Sequence, residues 1–340
     1  LECQNNVKNI TLALTNKATG DSGKLPHIRD GVFRLQDGSP EGTALNTWPR
    51  AILPQMDARP QDRALSSLEE LHLNATDASA FATRFDALNL GDGQIQSYVC
   101  PDDSANDIKS FGLSYRVNAG YIAASLVPGA GEALDPAAES THVPGAYDWR
   151  VAGTNPTDDA GVQLKSGAMH NPINGDLNAR NGAGAVIGAP AQLTLDQIGN
   201  WDGTTNTLWV SENNTAANWF DDNTFGLAFG ALVLDDSRVM DFPTADPDTT
   251  ANFSEKGKPN LQFNDGITRP VPMSEHSGGA IAVGFCDGRA ATISDSISRS
   301  VYLRLISSGG SRLSYPRTDA VPAALRGAPL QAPVSSSDFD

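Results

Sequence analysis

The sequence predicts an α+β fold in which an N-terminal helix packs on an antiparallel β-sheet, with a large β- and loop-rich insertion, and three stretches carry that expectation. Cys3, Val7, Ile10 and Leu14 recur at spacings of 4, 3 and 4, which draws an apolar seam down one side of a helix that Gly20 can end. Ala280 to Phe285 is an apolar run with β-branched residues, Asp287-Gly288 is a strong tight-turn dipeptide, and Arg289 to Ser294 returns with alternation, so two antiparallel strands are expected there. Ile297, Val301 and Leu305, with Tyr302 and Ile306 beside them, then mark a helix that Ser294 or Asp295 can cap and Gly309-Gly310 can stop.

Between these ends the chain reads as follows. Gln4, Asn5, Lys8 and Asn9 make the other faces of the first helix polar, so it should lie half-buried on a sheet. Asp21 to Arg63 alternates turn residues with short apolar pieces and suits loop with short helix. Ala64, Leu65, Leu68 and Leu71 suggest one helix, and Phe81, Phe85 and Leu88 another, before Gly91-Asp92-Gly93 turns the chain into a short strand from Gln94 to Val99. Asn118 to Asn200 is rich in Gly, Pro, Ala and Asp and reads as surface loops and short strands, closed by a short helix at Leu193 to Gly199. Thr207 to Ser211 is a buried strand, and Phe225 to Leu234 with Arg238 to Phe242 suggests a hairpin about Asp235-Asp236. Residues 316 to 340 are Pro, Ala and Ser with few hydrophobics, a composition that is disordered when alone.

The 340 residues suffice for a sizeable core, as one elaborated domain or two. A formal charge of -16 argues against nucleic acid and against an anionic membrane surface, both of which need Lys/Arg clusters. Divalent cations remain as partners: Asp102-Asp103 and Asp235-Asp236 allow Ca²⁺ in a loop, although no segment has an EF-hand pattern. The longest apolar run, near Ala228 to Leu234, is far below the roughly 20 residues that span a bilayer. Leu1-Glu2-Cys3 has no initiator Met and no signal sequence, and reads as a processed or trimmed end.

Five pieces, in order, resemble a large prepilin-like family known mainly from planctomycetes. They are Cys3-Gln4-Asn5-Asn6-Val7-Lys8; Val99-Cys100-Pro101-Asp102-Asp103 with Ser114-Tyr115 and Asn118-Ala119-Gly120; Asp202 to Glu212, which contains Gly203 and Asn206; His276 with Gly278-Gly279 and then Asp287-Gly288; and the helix ending at Gly309-Gly310. Ten residues separate His276 from Asp287 where the family usually has nine, and a bulge in the strand would absorb the extra one. Cys286 stands where a small residue is usual. The resemblance implies a type IV pilin-like or pseudopilin-like subunit: a core from residues 1–120, an insertion at 121–272 that includes the strand at 202–212, a completing hairpin and helix at 273–315, and a tail at 316–340. In that family a leader and about twenty apolar helical residues precede the point where this sequence starts, and Val7, Ile10 and Leu14 would belong to the assembly helix.

Asn181 to Gly188 is glycine-rich, but no strand precedes it and no βαβ unit surrounds it, so a loop is preferred over a dinucleotide site. His27, His72, His142, His170 and His276 show no local pairing and no Cys pair has zinc spacing, which argues against a metal centre. His276 beside Ser274 and Ser277 invites a hydrolase reading, yet there is no nucleophile elbow, so His276, Asp287 and Gly288 are expected to fix the hairpin. Glu212 at the end of an apolar strand, with Asp202, suits a cation ligand or an acid, but the preferred expectation is that Asp202 and Asn206 hold a turn while Glu212 pairs with a buried Arg. Outside the cytoplasm three cysteines leave one pair, and Cys3 on the helix seam can meet Cys100 at a strand end while Cys286 stays a buried thiol. Sequons at Asn9, Asn74, Asn213 and Asn252 are close to chance.

Two functions are expected of such a chain. One is a non-enzymatic, extracellular or cell-surface subunit that polymerises with itself into a filament, without cofactor, its tail ordered in a groove between subunits. The other is a cell-surface polysaccharide-binding module or hydrolase, for which surface glycans would be the partner; five Trp and six Tyr spread along the chain speak against an aromatic platform.

Overall fold

A computed structural model of the chain describes residues 1–28, 47–72, 93–107, 111–123, 164–170, 192–216, 218–219, 224–233, 235–236, 239–240, 259 and 270–310. Its helices are α1 (Glu2–Gly20), α2 (Trp48–Ala51), α3 (Arg59–His72), α4 (Ser104–Asp107), α5 (Leu195–Asn200), α6 (Thr224–Leu227) and α7 (Arg299–Ile306). Its strands are β1 (Tyr115–Ala123), β2 (Leu208–Glu212), β3 (Ala228–Val233), β4 (Asp235–Asp236), β5 (Val239–Met240), β6 (Ala280–Phe285) and β7 (Ala290–Ser294). The expected helix about Phe81, Phe85 and Leu88, the glycine-rich 181–188 segment and the tail at 316–340 lie outside the described residues.

The main sheet runs β3-β1-β2-β6-β7, and it is mixed rather than antiparallel, because β3 pairs parallel with β1. The apolar run of β3 therefore does not fold back on the segment after Asp235-Asp236. That segment closes a two-stranded ladder of its own, β4 with β5. The physical reason is burial: Ala228, Phe229 and Ala231 are all inside, and a strand with no polar face belongs in a sheet covered on both sides.

Both sides are covered here. In an antiparallel pair, residues directly opposite share a face, so Val117, Val210 and Gly284 point together. That is the α1 side, since a Cβ on Gly284 would stand 2.2 Å from Thr11 Oγ1. Glycine at 284 is what lets the helix cross the strand so closely. The alternate residue Asn118 faces the other way and donates from Nδ2 to the carbonyls of Leu208 and Ile306, at the end of α7. Thus α1 lies over β2, β6 and β7, α7 lies over β1, β2 and β3, and every residue of β2 between them is buried. The seam residues Val7, Ile10 and Leu14 are fully buried under α1.

Three local expectations change in the folded chain. Gln94 to Val99 is not a strand but a 3₁₀ turn at Gln96–Tyr98, because the buried Ile95 and Tyr98 stand three apart, not two. Tyr98 packs edge-on to both Trp48 and Trp219. The last helix begins at Arg299 with Ser298 as its cap, its hydroxyl accepting the N–H of Val301, since the N–H of Asp295 already serves Gly279 O at the hairpin's end. The β6–β7 ladder is regular, and its irregularity lies instead against β2, between Leu208 and Val210. The β6–β7 loop spans three residues, Cys286-Asp287-Gly288: the Gly288 N–H donates to Phe285 O, and Gly288 alone takes a positive φ, +89°.

Candidate functional site

The first turn of α1 meets the segment that follows the 3₁₀ turn Gln96–Tyr98, and Cys3 and Cys100 are joined there in a disulfide with their Cα atoms 5.0 Å apart. Against this bridge stand two side chains from the other end of the sequence. Glu212 ends β2, only 2% exposed, and His276 sits in the loop before β6. That loop is shaped by Gly278 and Gly279, both at positive φ, and by the Ser274 hydroxyl donating to Ala280 O.

His276 Nε2 lies 2.9 Å from Glu212 Oε1, and Nδ1 lies 2.7 Å from Asp102 Oδ2. The remaining oxygen of Glu212, Oε2, accepts the N–H of Ala282 at 2.6 Å, and Cys100 Sγ is 3.9 Å from His276 Nε2. Glu212 therefore pairs with an imidazole, not with the buried Arg that its position suggests.

The electrostatics follow from this geometry. Burial pushes the Glu212 carboxyl above its ordinary value, while the Ala282 N–H and His276 pull it back. Burial disfavours the charged form of His276, but Glu212 and then Asp102 outweigh it and hold the imidazole above its ordinary value of 6.5. The stable arrangement is an imidazolium donating one N–H to each carboxylate, since Ala282 and the cation together compensate the buried Glu212 charge. Both ring nitrogens of His276 meet carboxylates and the Ser274 hydroxyl donates to Ala280 O, so the group clamps the loop before β6 to the end of β2 and to the turn after Cys100.

A second buried carboxylate does a related task. Asp202 Oδ2 accepts from the Ser307 hydroxyl at 3.2 Å and from the Gly310 N–H at 2.5 Å, which ties the end of α7 to the turn before β2. Gly203, at φ +95°, makes that turn, and Asn206 closes it by donating from Nδ2 to Asp202 O. Asp287 and Gly288 are at neither place. Asp287 Oδ1 accepts the Arg289 N–H in the hairpin loop.

The structure thus brings Cys3, Cys100, Glu212 and His276 to one point, and Asp202, Gly203 and Asn206 to another. Val7, Ile10 and Leu14 face the chain's own sheet. Sequence reasoning offered Asp102 only as part of a Ca²⁺-binding loop and gave no role to Asn118, although both stand inside motifs it quoted. It also left Asn213 as a sequon, yet Asn213 is fully buried with Nδ2 donating to Val271 O. Cys286 is a free, buried thiol, and burial pushes its pKa up.

The disulfide sulfurs of Cys3 and Cys100, a carboxylate oxygen of Glu212 and an imidazole nitrogen of His276 all lie within 4.8 Å of one another. The two sulfurs are bonded to one another, and His276 Nε2 and Glu212 Oε1 are paired with each other. A cavity of about 350 Å³, lined by Lys17, Asp21, His27, Arg50 and Asp62 among others, opens near the far end of α1, roughly 20 Å along the helix from Cys3 at 1.5 Å per residue. No helix among the described residues is long and apolar enough to cross a membrane.

Residues 1–300 match the model of the family described as "Protein of unknown function (DUF1559)", and the chain belongs to that family. No curated protein and no solved structure matches it.

Proposed function

We propose that this member of the DUF1559 family is a structural, non-catalytic subunit of an extracellular filament of the pilus or pseudopilus kind, which polymerises with copies of itself at the cell surface. The observation that carries this is the division of α1 into two faces. Cys3, Val7, Ile10 and Leu14 are spent on the chain's own sheet, whereas Asn5, Lys8, Asn9, Leu12 and Asn16 form an exposed strip along its whole length. A helix held rigidly by a sheet and a disulfide, with one free face, suits repeated lateral contact. Leu12, at 43% exposure, is the apolar point of that strip.

The remaining motif residues support the same reading. His276, Glu212, Asp202 and Asp287 each satisfy internal hydrogen-bonding needs, as parts of a rigid building block would. The polysaccharide alternative needs exposed aromatic rings, and Trp48, Trp209 and Trp219 are fully buried.

Negative-stain microscopy of the native material is the direct test, with filaments expected. Leu12→Asp should weaken assembly while leaving monomer unfolding nearly unchanged, and so should deletion of residues 316–340. A wild-type protein that stays a monodisperse monomer in its native source, or variants that assemble normally, would overturn the reading.

A further inference from the structure

We infer that the disulfide end of α1 is a second-state metal site: with Cys3 and Cys100 reduced, the two thiolates, His276 Nε2 and Glu212 Oε1 form a four-ligand centre for a borderline-soft divalent ion of the Zn²⁺ class. This inference is independent of the filament reading.

The donor set is the first argument. Two sulfurs, one imidazole nitrogen and one carboxylate oxygen lie within 4.8 Å of one another, which is the content and the size of a tetrahedral site. Tetrahedral bonds to sulfur of about 2.3 Å would hold the thiolates roughly 3.8 Å apart, a separation that rotation about each Cα–Cβ bond supplies once the S–S bond is broken.

The outer shell is the second argument, and a disulfide gives no reason for it. His276 Nδ1 is 2.7 Å from Asp102 Oδ2, so the ring is oriented with Nε2 toward Glu212 and Cys100. A carboxylate behind a metal-ligating histidine fixes its tautomer and raises its basicity in just this way. Glu212 is likewise oriented, its Oε2 held by the Ala282 N–H while Oε1 is presented to the cluster. Spacing rules could not find such a site, because its ligands come from positions 3, 100, 212 and 276.

The chemistry balances with a dithiol as reductant. The dithiol passes two electrons to the Cys3–Cys100 bond and leaves as its own cyclic disulfide; the ion then binds the two thiolates, Glu212 Oε1 and His276 Nε2, and three protons are released to solvent, one from each thiol and one from the imidazolium Nε2. Exchange with a disulfide oxidant, which takes up the two electrons and leaves as its dithiol, reverses the steps and expels the ion, so disulfide and metal are alternative staples at one place.

The test uses the full chain with Cys286→Ala, which removes the third thiol. After reduction by a dithiol and anaerobic desalting, Co²⁺ is titrated in. One Co²⁺ per chain is expected, with the strong visible bands of tetrahedral Co²⁺, a thiolate-to-cobalt charge-transfer band, and displacement by Zn²⁺; the oxidised chain should show none of these. His276→Gln and Glu212→Gln should each weaken binding at least tenfold, and Asp102→Asn about 10–100-fold without changing the form of the spectrum. Far-UV circular dichroism covers the case in which the reduced chain unfolds: restoration of native ellipticity by the ion supports the site. An octahedral spectrum, equal binding by His276→Gln, or a reduced chain that the ion neither binds nor refolds overturns it.

Discussion

Glu212 and Asp202 are both carboxylates drawn into the interior, at 2% and 7% exposure, and the chain handles them differently. Asp202 is met by a hydroxyl and a backbone N–H, neither of which titrates, and it serves as a fixed strut between α7 and the turn before β2. Glu212 is met by one backbone N–H and by an imidazole that a second carboxylate, Asp102, helps keep charged. The first solution uses partners that carry no charge. The second ties stability to protonation and leaves ligand-grade atoms facing a pair of sulfurs, so one buried charge is architecture and the other is architecture that can also respond.

The comparison breaks most visibly at the sulfur pair. Replacing both cysteines, Cys3→Ala with Cys100→Ala, opens a loop with a sequence separation of 97, worth about 4–5 kcal/mol in the chain-entropy account, measured by denaturant unfolding. Glu212→Ala should come next, at about 3 kcal/mol, because it leaves the His276 cation with Asp102 alone and strands the Ala282 N–H. Asp202→Ala should cost about 2 kcal/mol, chiefly through the Gly310 N–H left without its carboxylate partner, since the Ser307 hydroxyl can still donate to Arg304 O.

The pH dependence sharpens the contrast. The folded pKa of His276 is raised, so the folded chain holds the proton more tightly. Its contribution is fully present below 6.5, the value of the free imidazole, and fades as pH rises through the raised folded value. Glu212 is raised too and acts with the same sign at lower pH, its contribution present below about 4.5 and fading above. Melting temperatures of the wild type should therefore fall on alkaline titration, and His276→Gln should flatten the slope above 6.5; an unchanged slope would detach His276 from the effect. The smallest change expected is at Gly288, where an alanine must take φ +89° at a cost of about 1 kcal/mol.

Local pattern by itself determined a good deal about this protein. The seam of Cys3, Val7, Ile10 and Leu14 specified α1 and its buried face, because a period of 3.6 leaves one stripe to hide. The apolar run to Phe285, Asp287-Gly288 and the alternating return specified the β6–β7 hairpin, and counting cysteines with their placement singled out Cys3 with Cys100. Those signals act between near neighbours or survive elimination.

Tertiary structure decided the rest. The loop took three residues rather than two, β3 went parallel beside β1 instead of closing its own hairpin, and the last helix waited for Ser298 because Asp295 was already held by Gly279. Most of all, the partner of Glu212 could not be read. A carboxylate at the end of a buried strand announces that it needs a donor, but which donor arrives depends on how β2, β6 and the turn at Cys100 converge, and distances between positions 102, 212 and 276 exist only once the sheet has closed.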